Sequence, residues 1–199
     1  MIGIIDYGVG NLFSLRSSFA AIGAEAFVSG DAAELAKADR LILPGVGAFG
    51  DAARKLRDSG LDGFVKEQAA AGKPLMGICL GMQLLFEKSY EYGEHEGLGL
   101  LKGQVVGMAG KLPANLKIPH MGWNALSLTK PARLLEDGSY VYFVHSFYAE
   151  NCEDSLAAVT DYGIPITAAV EKDNIFGCQF HPEKSGNVGL AILKKFCVV

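Results

Sequence analysis

A cysteine flanked at two residues' distance by glycines closes an apolar run in this chain. Gly77-Ile78-Cys79-Leu80-Gly81 follows Lys73-Pro74-Leu75-Met76 and precedes Met82-Gln83-Leu84-Leu85-Phe86-Glu87, a helix pattern. Strand, tight turn and helix in that order, with the thiol at the apex, is the layout of a nucleophile elbow. The glycines answer a steric demand, because strand and helix pass close together and the apex residue is held in a strained conformation. Such a turn lifts the sulfur out at the carboxyl end of the strand, where the first amides of the helix and its positive end favour a thiolate. A lone cysteine is more often a small buried hydrophobe. The Gly-x-Cys-x-Gly frame at a strand–helix junction reverses that expectation.

The elbow closes a regular series. Residues 2–5 predict a fully apolar strand, and Asp6 to Gly10 a Gly-rich turn. Asn11 is placed to cap a helix carrying Leu12, Leu15, Phe19 and Ile22 on one face. Ala26 to Val28 reads as a second strand, Asp31 to Ala38 as a short helix, and Arg40 to Leu43 as a third strand. From about Gly50 to Ala71 the pattern is helical, broken at Ser59-Gly60, and Pro74 to Ile78 is the fourth strand. Short apolar strands alternating with helices predict a parallel sheet covered on both faces. After about Gly97 the texture turns to short strands separated by turn residues, part of them antiparallel. Lys172-Asp173-Asn174 reads as a hairpin turn, and Gly186 to Phe196 as a closing helix with Val188, Ile192 and Phe196 inward. No repeat or linker divides the 199 residues, so residues 1–199 are expected to form one domain.

A formal net charge of −4 leaves no basic footprint for nucleic acid, and no apolar run approaches the ~20 residues of a membrane span. The N-terminus reads as a strand rather than a signal peptide. Cys79, Cys152, Cys178 and Cys197 lie too far apart for a zinc motif or a disulfide framework. A cytoplasmic setting without metal or cofactor is the expectation.

A cysteine nucleophile needs a base, and the base needs a group to orient it. Of the four histidines, His95 lies in a charged loop and is expected to be solvated. His120 lies in the expected strand Ile118 to Met121, and His145 follows the expected strand Tyr140 to Val144. His181 is the best candidate base, because Pro182 stiffens the chain there and Glu183 is close enough to fix the imidazole tautomer. Gln83 shares a helix face with Cys79. Its amide needs either a polar substrate or an internal backbone partner. Gly45-Val46-Gly47-Ala48-Phe49-Gly50 matches Gly-x-Gly-x-x-Gly, but it follows the third strand and no acidic residue stands where a ribose would bind. It is read instead as a flexible peptide able to offer N–H groups to an oxyanion.

Together, Pro44-Gly45-Val46-Gly47, Gly77 to Gln83 and His181-Pro182-Glu183 resemble the class I (triad) glutamine amidotransferases. Asp6 to Asn11, Pro119 to Asn124, Tyr142 to Tyr148 and Gln179 to Ser185 narrow the resemblance to the glutaminase subunits of imidazole glycerol phosphate synthases, across nearly the whole chain. The resemblance implies a three-layer, flavodoxin-like α/β fold with a mixed sheet and a partly antiparallel C-terminal half. It implies Cys79, His181 and Glu183 as catalytic triad, with Leu80 and Val46 or Gly47 as oxyanion donors. Gly47, Gln83, His145 and Ser146 match glutamine-binding positions, and Asn11, Trp123, Tyr142 and Lys184 match partner-facing ones. It further implies release of ammonia from glutamine to a (β/α)8 cyclase subunit in a heterodimer of histidine biosynthesis. Two alternatives stand beside it, a glutaminase of another synthase and a non-catalytic binding member of the fold. Asp6 to Asn11 and Met121-Gly122-Trp123-Asn124 weigh against the first, and the intact Cys79, His181 and Glu183 against the second.

Overall fold

The computed structural model describes residues 1–199. The first half alternates as the sequence predicts: β1 (Ile2–Ile5), α1 (Leu12–Ala21), β2 (Ala26–Ser29), α2 (Ala32–Leu35), β3 (Arg40–Leu43), α3 (Phe49–Asp58), α4 (Leu61–Ala70), β4 (Leu75–Ile78) and α5 (Leu80–Leu84). The second half supplies ten strands and one helix. These are β5 (Phe86–Ser89), β6 (His95–Glu96), β7 (Leu101–Gly107), β8 (His120–Ala125), β9 (Ser127–Leu128), β10 (Tyr140–His145), β11 (Phe147–Glu150), β12 (Leu156–Asp161), β13 (Pro165–Lys172), β14 (Ile175–Cys178) and, after a 3-10 turn at Pro182–Lys184, α6 (Gly186–Phe196).

One sheet of eight strands organises the chain, in the order β2-β1-β3-β4-β14-β13-β12-β9. Its first five strands are parallel and the last three antiparallel. The parallel part follows the flavodoxin-like 2-1-3-4-5 order, with β14 as the fifth strand. All four residues of β1, β4 and β14 are buried, as expected of strands covered on both faces.

Alternate strand residues feed two cores. Ile4, Ile42, Met76 and Phe176 pack with Leu15 and Phe19 of α1 and Ile192 and Phe196 of α6. On the other face Ile5, Leu41, Leu43 and Leu75 pack with Leu35 of α2, Phe49 and Leu56 of α3 and Val65 of α4. Each such fully buried large side chain contributes roughly 1.5–3 kcal/mol. The result is the three-layer α/β arrangement with a partly antiparallel C-terminal half that the sequence leads one to expect. No helix is long and apolar enough to cross a membrane.

Two local expectations fail. The helix pattern after Cys79 does not run to Glu87; α5 ends at Leu84, and Phe86 and Glu87 open β5. The loop from Leu98 to Leu101 takes over the helix's carbonyls, with Leu98 N–H donating to Leu84 O, and Leu100 and Leu101 N–H both donating to Leu85 O. Phe86 is then buried beside Leu101 as its strand partner. Tertiary pairing outweighs helix propensity there. Asn11 sits at the start of α1 but makes no side-chain capping bond. The local side-chain contact in that turn comes from Asp6, whose Oδ1 accepts from Gly8 N–H at 3.0 Å.

Candidate active site

The carboxyl ends of four adjacent parallel strands, β1, β3, β4 and β14, deliver the candidate residues to one place. Tyr7 follows β1 and is buried. Its hydroxyl donates to Pro44 O at 2.7 Å, tying the loop after β3 to the loop after β1. Gly45 then lies against the elbow, where a Cβ would sit 2.7 Å from Gly81 N. Beyond that tie Val46 and Gly47 are exposed, and Gly47 has φ +94°. This is a segment anchored at one end and free at the tip.

At the elbow Cys79 has φ 54° and ψ −109°, a strained region for a residue with a Cβ. What holds it there is close packing without side chains. A Cβ on Gly77 would lie 2.6 Å from Gly81 O, and one on Gly81 would overlap Leu43 O. Cys79 N–H donates to Cys178 O at 2.7 Å, fixing the turn to β14. Because α5 is five residues long its dipole is small, so the helix offers mainly the amides of its first turn, beginning with Leu80.

His181 leaves the sheet after β14. Its N–H donates to Tyr142 O at 2.9 Å, and its ring is buried. Nδ1 lies 2.8 Å from Glu183 Oε1, with both side chains almost wholly enclosed. Since a carboxylate only accepts, Nδ1 carries the proton and Nε2 is left for Cys79. Burial pulls the imidazole pKa down, but hydrogen bonds to Cys79 and Glu183, with their negative charge, carry it up to about 9. An imidazolium at neutral pH, beside a sulfur, is an acid ready to protonate a leaving group. Glu183 Oε2 is buried without a partner.

A cavity of about 380 Å³ opens over these groups. Its wall includes Cys79, Leu80, Val46, Gly47, Gln83, His145, Ser146, His181 and Lys184. All four candidate glutamine-site residues are therefore together with Cys79, His181 and the candidate oxyanion donors. Glu183 stands behind His181, outside the wall. Lys184 is exposed at the rim. Asn11, Trp123 and Tyr142 lie outside the cavity, Trp123 and Tyr142 as an edge-on pair 6.0 Å apart on β8 and β10.

Gln83 satisfies its amide internally. Nε2 donates to Phe147 O and to Gln179 Oε1, each at 3.0 Å. His145 is buried; its Nδ1 lies 2.8 Å from Phe147 O and its Nε2 3.0 Å from His120 Nδ1. Burial, outweighing the Phe147 contact, lowers the His145 pKa to about 3, so the ring is neutral.

Sequence reasoning missed Gln179 and the segment from Glu91 to His95. Gln179 is fully buried, and its Nε2 lies 3.7 Å from Cys79 Sγ. The signal available was proximity: Gln179 directly follows β14 and stands two residues before His181. Glu91 lines the cavity, accepts from Phe49 N–H at 2.6 Å, and has its pKa raised by burial. His95 is not simply solvated. It forms a bridge in β6 and packs on Gly50, where a Cβ would come within 2.6 Å of its ring. The charged run that suggested a loop hides this contact.

The sequence profile of the family described as "Glutamine amidotransferase class-I" matches residues 3–199. Solved structures agree on the fold. A crystal structure of a glutamine amidotransferase superposes with a TM-score of 0.77 at 20% identity, covering 99% of each chain. PurLQS from Thermotoga maritima superposes at 0.73 and 21%, covering 98% of this chain and 96% of that one. The chain belongs to the class I glutamine amidotransferases, enzymes that hydrolyse glutamine.

Relatives narrow this further. The chain is 54% identical over 200 residues to imidazole glycerol phosphate synthase subunit HisH of Caldanaerobacter subterraneus subsp. tengcongensis, covering 98% of this chain and 97% of the relative. It is 50% identical over 204 residues to the HisH subunit of Wolinella succinogenes, covering both in full. It therefore falls within the HisH group of that family.

Proposed function

We propose that Cys79, His181 and Glu183 form a catalytic triad that hydrolyses glutamine for a synthase partner. The observation that carries the reading is the enclosed pair of His181 and Glu183, hydrogen-bonded to each other at 2.8 Å, with Cys79 on the other side of the imidazole and the cavity above.

The Cys79 thiolate attacks the side-chain amide carbon of glutamine, and the carbonyl oxygen becomes an oxyanion. The N–H of Leu80 and one from Val46 or Gly47 hold that oxygen. Collapse breaks the C–N bond, and the imidazolium of His181 gives its proton to the departing nitrogen, which leaves as ammonia. The now neutral His181 takes a proton from water, which attacks the thioester. Glutamate departs and the thiolate–imidazolium pair is restored. Glu183 keeps the ring in the Nδ1–H tautomer throughout. Gly47, Gln83, His145 and Ser146 line the glutamine position.

The relatives are named as subunits of imidazole glycerol phosphate synthase. On that basis the ammonia passes to a (β/α)8 cyclase subunit in a cytoplasmic heterodimer, with residues 1–199 acting as one glutaminase domain. Asn11, Trp123, Tyr142 and Lys184 face that partner. Exposed Trp123 and Lys184, exposed at the cavity rim, suit this role, since both are accessible. A partner also makes chemical sense, because free ammonia is protonated and lost in water.

A glutamine-analogue electrophile tests the site. With the cyclase subunit present, the adduct is expected on Cys79 alone. Labelling of another residue, or of none, contradicts the reading.

A further inference from the structure

We propose that Gln179 is a catalytic hydrogen-bond donor to the Cys79 sulfur, and that the same side chain sets which end of Gln83 faces the cavity. The inference rests on Cys79 being the nucleophile and adds a residue to its surroundings.

The polarity follows from a single fixed acceptor. Phe147 O is a backbone carbonyl and only accepts, so the Gln83 atom 3.0 Å away is the amide nitrogen. That nitrogen has two hydrogens. The second goes to Gln179, also at 3.0 Å, so the Gln179 atom receiving it is Oε1. The other end of Gln179 is then an NH2 group, and it lies 3.7 Å from Cys79 Sγ, within reach of an N–H···S bond. One backbone carbonyl thus orients two amides in series and ends on the sulfur. Gln179 has no freedom to reverse, since it is fully buried and a reversed amide would turn its NH2 onto the Gln83 NH2.

Two consequences follow. The first concerns charge. As a thiol, Cys79 can point its proton at Val144 O, 4.0 Å away. As a thiolate it can only accept, and Gln179 supplies an N–H that favours the charged form. The second concerns recognition. With both hydrogens of Gln83 committed, its Oε1 is the end left to the cavity it lines. The wall at that point is an acceptor, suited to an ammonium or amide N–H of the ligand and poorly suited to a carboxylate.

Two substitutions separate these consequences. Gln179→Glu keeps an oxygen for Gln83 but loses the amide donor toward sulfur. Its expected signature is a kcat lower by roughly ten- to hundredfold, the scale of one lost bond to a charged group, with KM for glutamine little changed. The pH profile of Cys79 alkylation by iodoacetamide is expected to move to higher pH. Gln179→Met loses both contacts, and KM should rise as well. A folded Gln179→Glu variant with the parent kcat and alkylation profile overturns the proposal. Should neither variant fold, the parent chain decides. The side-chain amide resonances of Gln179 are expected to shift with pH at the midpoint of the alkylation profile, and to stop doing so in Cys79→Ser. Resonances that stay flat, or that titrate equally in Cys79→Ser, overturn it. These two readouts need no turnover. Glutamine hydrolysis surviving in Cys79→Ser would instead overturn the nucleophile assignment.

Discussion

His120 Nδ1 lies 3.0 Å from His145 Nε2, and the direction of that bond is fixed by a third atom. His145 Nδ1 faces Phe147 O at 2.8 Å and must carry a proton to bond it. A neutral His145 therefore accepts at Nε2, and His120 donates from Nδ1. Phe147 O anchors both this pair and the Gln83 amide. His120 is further enclosed between Phe143 and Tyr162, with ring centroids 4.8 and 4.1 Å away. A proton added to His145 removes the acceptor at Nε2, and one added to either ring charges a buried site.

The pH dependence of stability follows. Burial lowers the His120 pKa to about 4 and that of His145 to about 3, below the ~6.5 of an unfolded imidazole. Between those limits the unfolded chain binds more protons, so stability falls as pH drops from about 6.5 toward 4. His181 behaves oppositely. Its folded pKa of about 9 gives stability that is complete below about 6.5 and is lost as pH rises through 9. Urea unfolding midpoints measured from pH 4 to 10 are expected to peak near neutrality. His120→Gln, which can still donate to His145, should flatten the acid limb. An acid limb of unchanged steepness in that variant contradicts the assignment.

The elbow depends on glycine for contact as well as conformation. A Cβ on Gly81 would overlap Leu43 O and approach Pro44 C to 3.1 Å, and backbone atoms of a central strand cannot give way. Gly81→Ala is expected to cost more than about 3 kcal/mol or to abolish folding. Gly63 is the contrast, being exposed on α4 with open space around a Cβ. There, Gly63→Ala should stabilise by about 0.5–1 kcal/mol. Equal effects at the two sites in urea titrations would contradict the packing argument.

How far the sequence carried differs along the chain. The parallel half was legible because its strands are short and mostly apolar, as at Ile2–Ile5 and Leu41–Leu43, and helix patterns separate them. The placement of the proposed triad residues was legible because they sit in short stretches whose geometry is local, the elbow at Cys79 and the two-residue spacing of His181 and Glu183. What escaped was long-range. Phe86 and Glu87 continue a helix pattern and become a strand only because the loop at Leu98–Leu101 captures the carbonyls before them. Gln179 and Gln83 are 96 residues apart and meet only through the sheet order.

In the proposed triad Glu183 acts on catalysis through His181, whose Nδ1 it faces at 2.8 Å. Gln at 183 can still accept from Nδ1–H but carries no charge. Glu183→Gln is expected to lower the His181 titration midpoint seen by NMR and to reduce kcat/KM for glutamine by roughly ten- to hundredfold. An unchanged midpoint would mean that the carboxylate does not support the imidazolium.

The proposed partner face can be tested without touching chemistry. Trp123 is 55% exposed and stacks edge-on only with Tyr142. Buried tryptophans at interfaces often carry a large share of binding energy. Trp123→Ala should leave the thermal unfolding of the isolated chain nearly unchanged while weakening its affinity for the cyclase subunit at least tenfold. Unaltered affinity by calorimetry would remove Trp123 from that face.

The most direct test concerns Cys79 itself, in the complex with the cyclase subunit and its nucleotide substrate. Two rates are measured for Cys79→Ala, one with glutamine and one with added ammonium salt. No glutamine hydrolysis and no glutamine-dependent synthesis are expected, with ammonium-dependent synthesis at the parent rate. Glutamine hydrolysis persisting in Cys79→Ala would contradict the nucleophile assignment. So would loss of both activities, which would make Cys79 a residue of assembly rather than of attack.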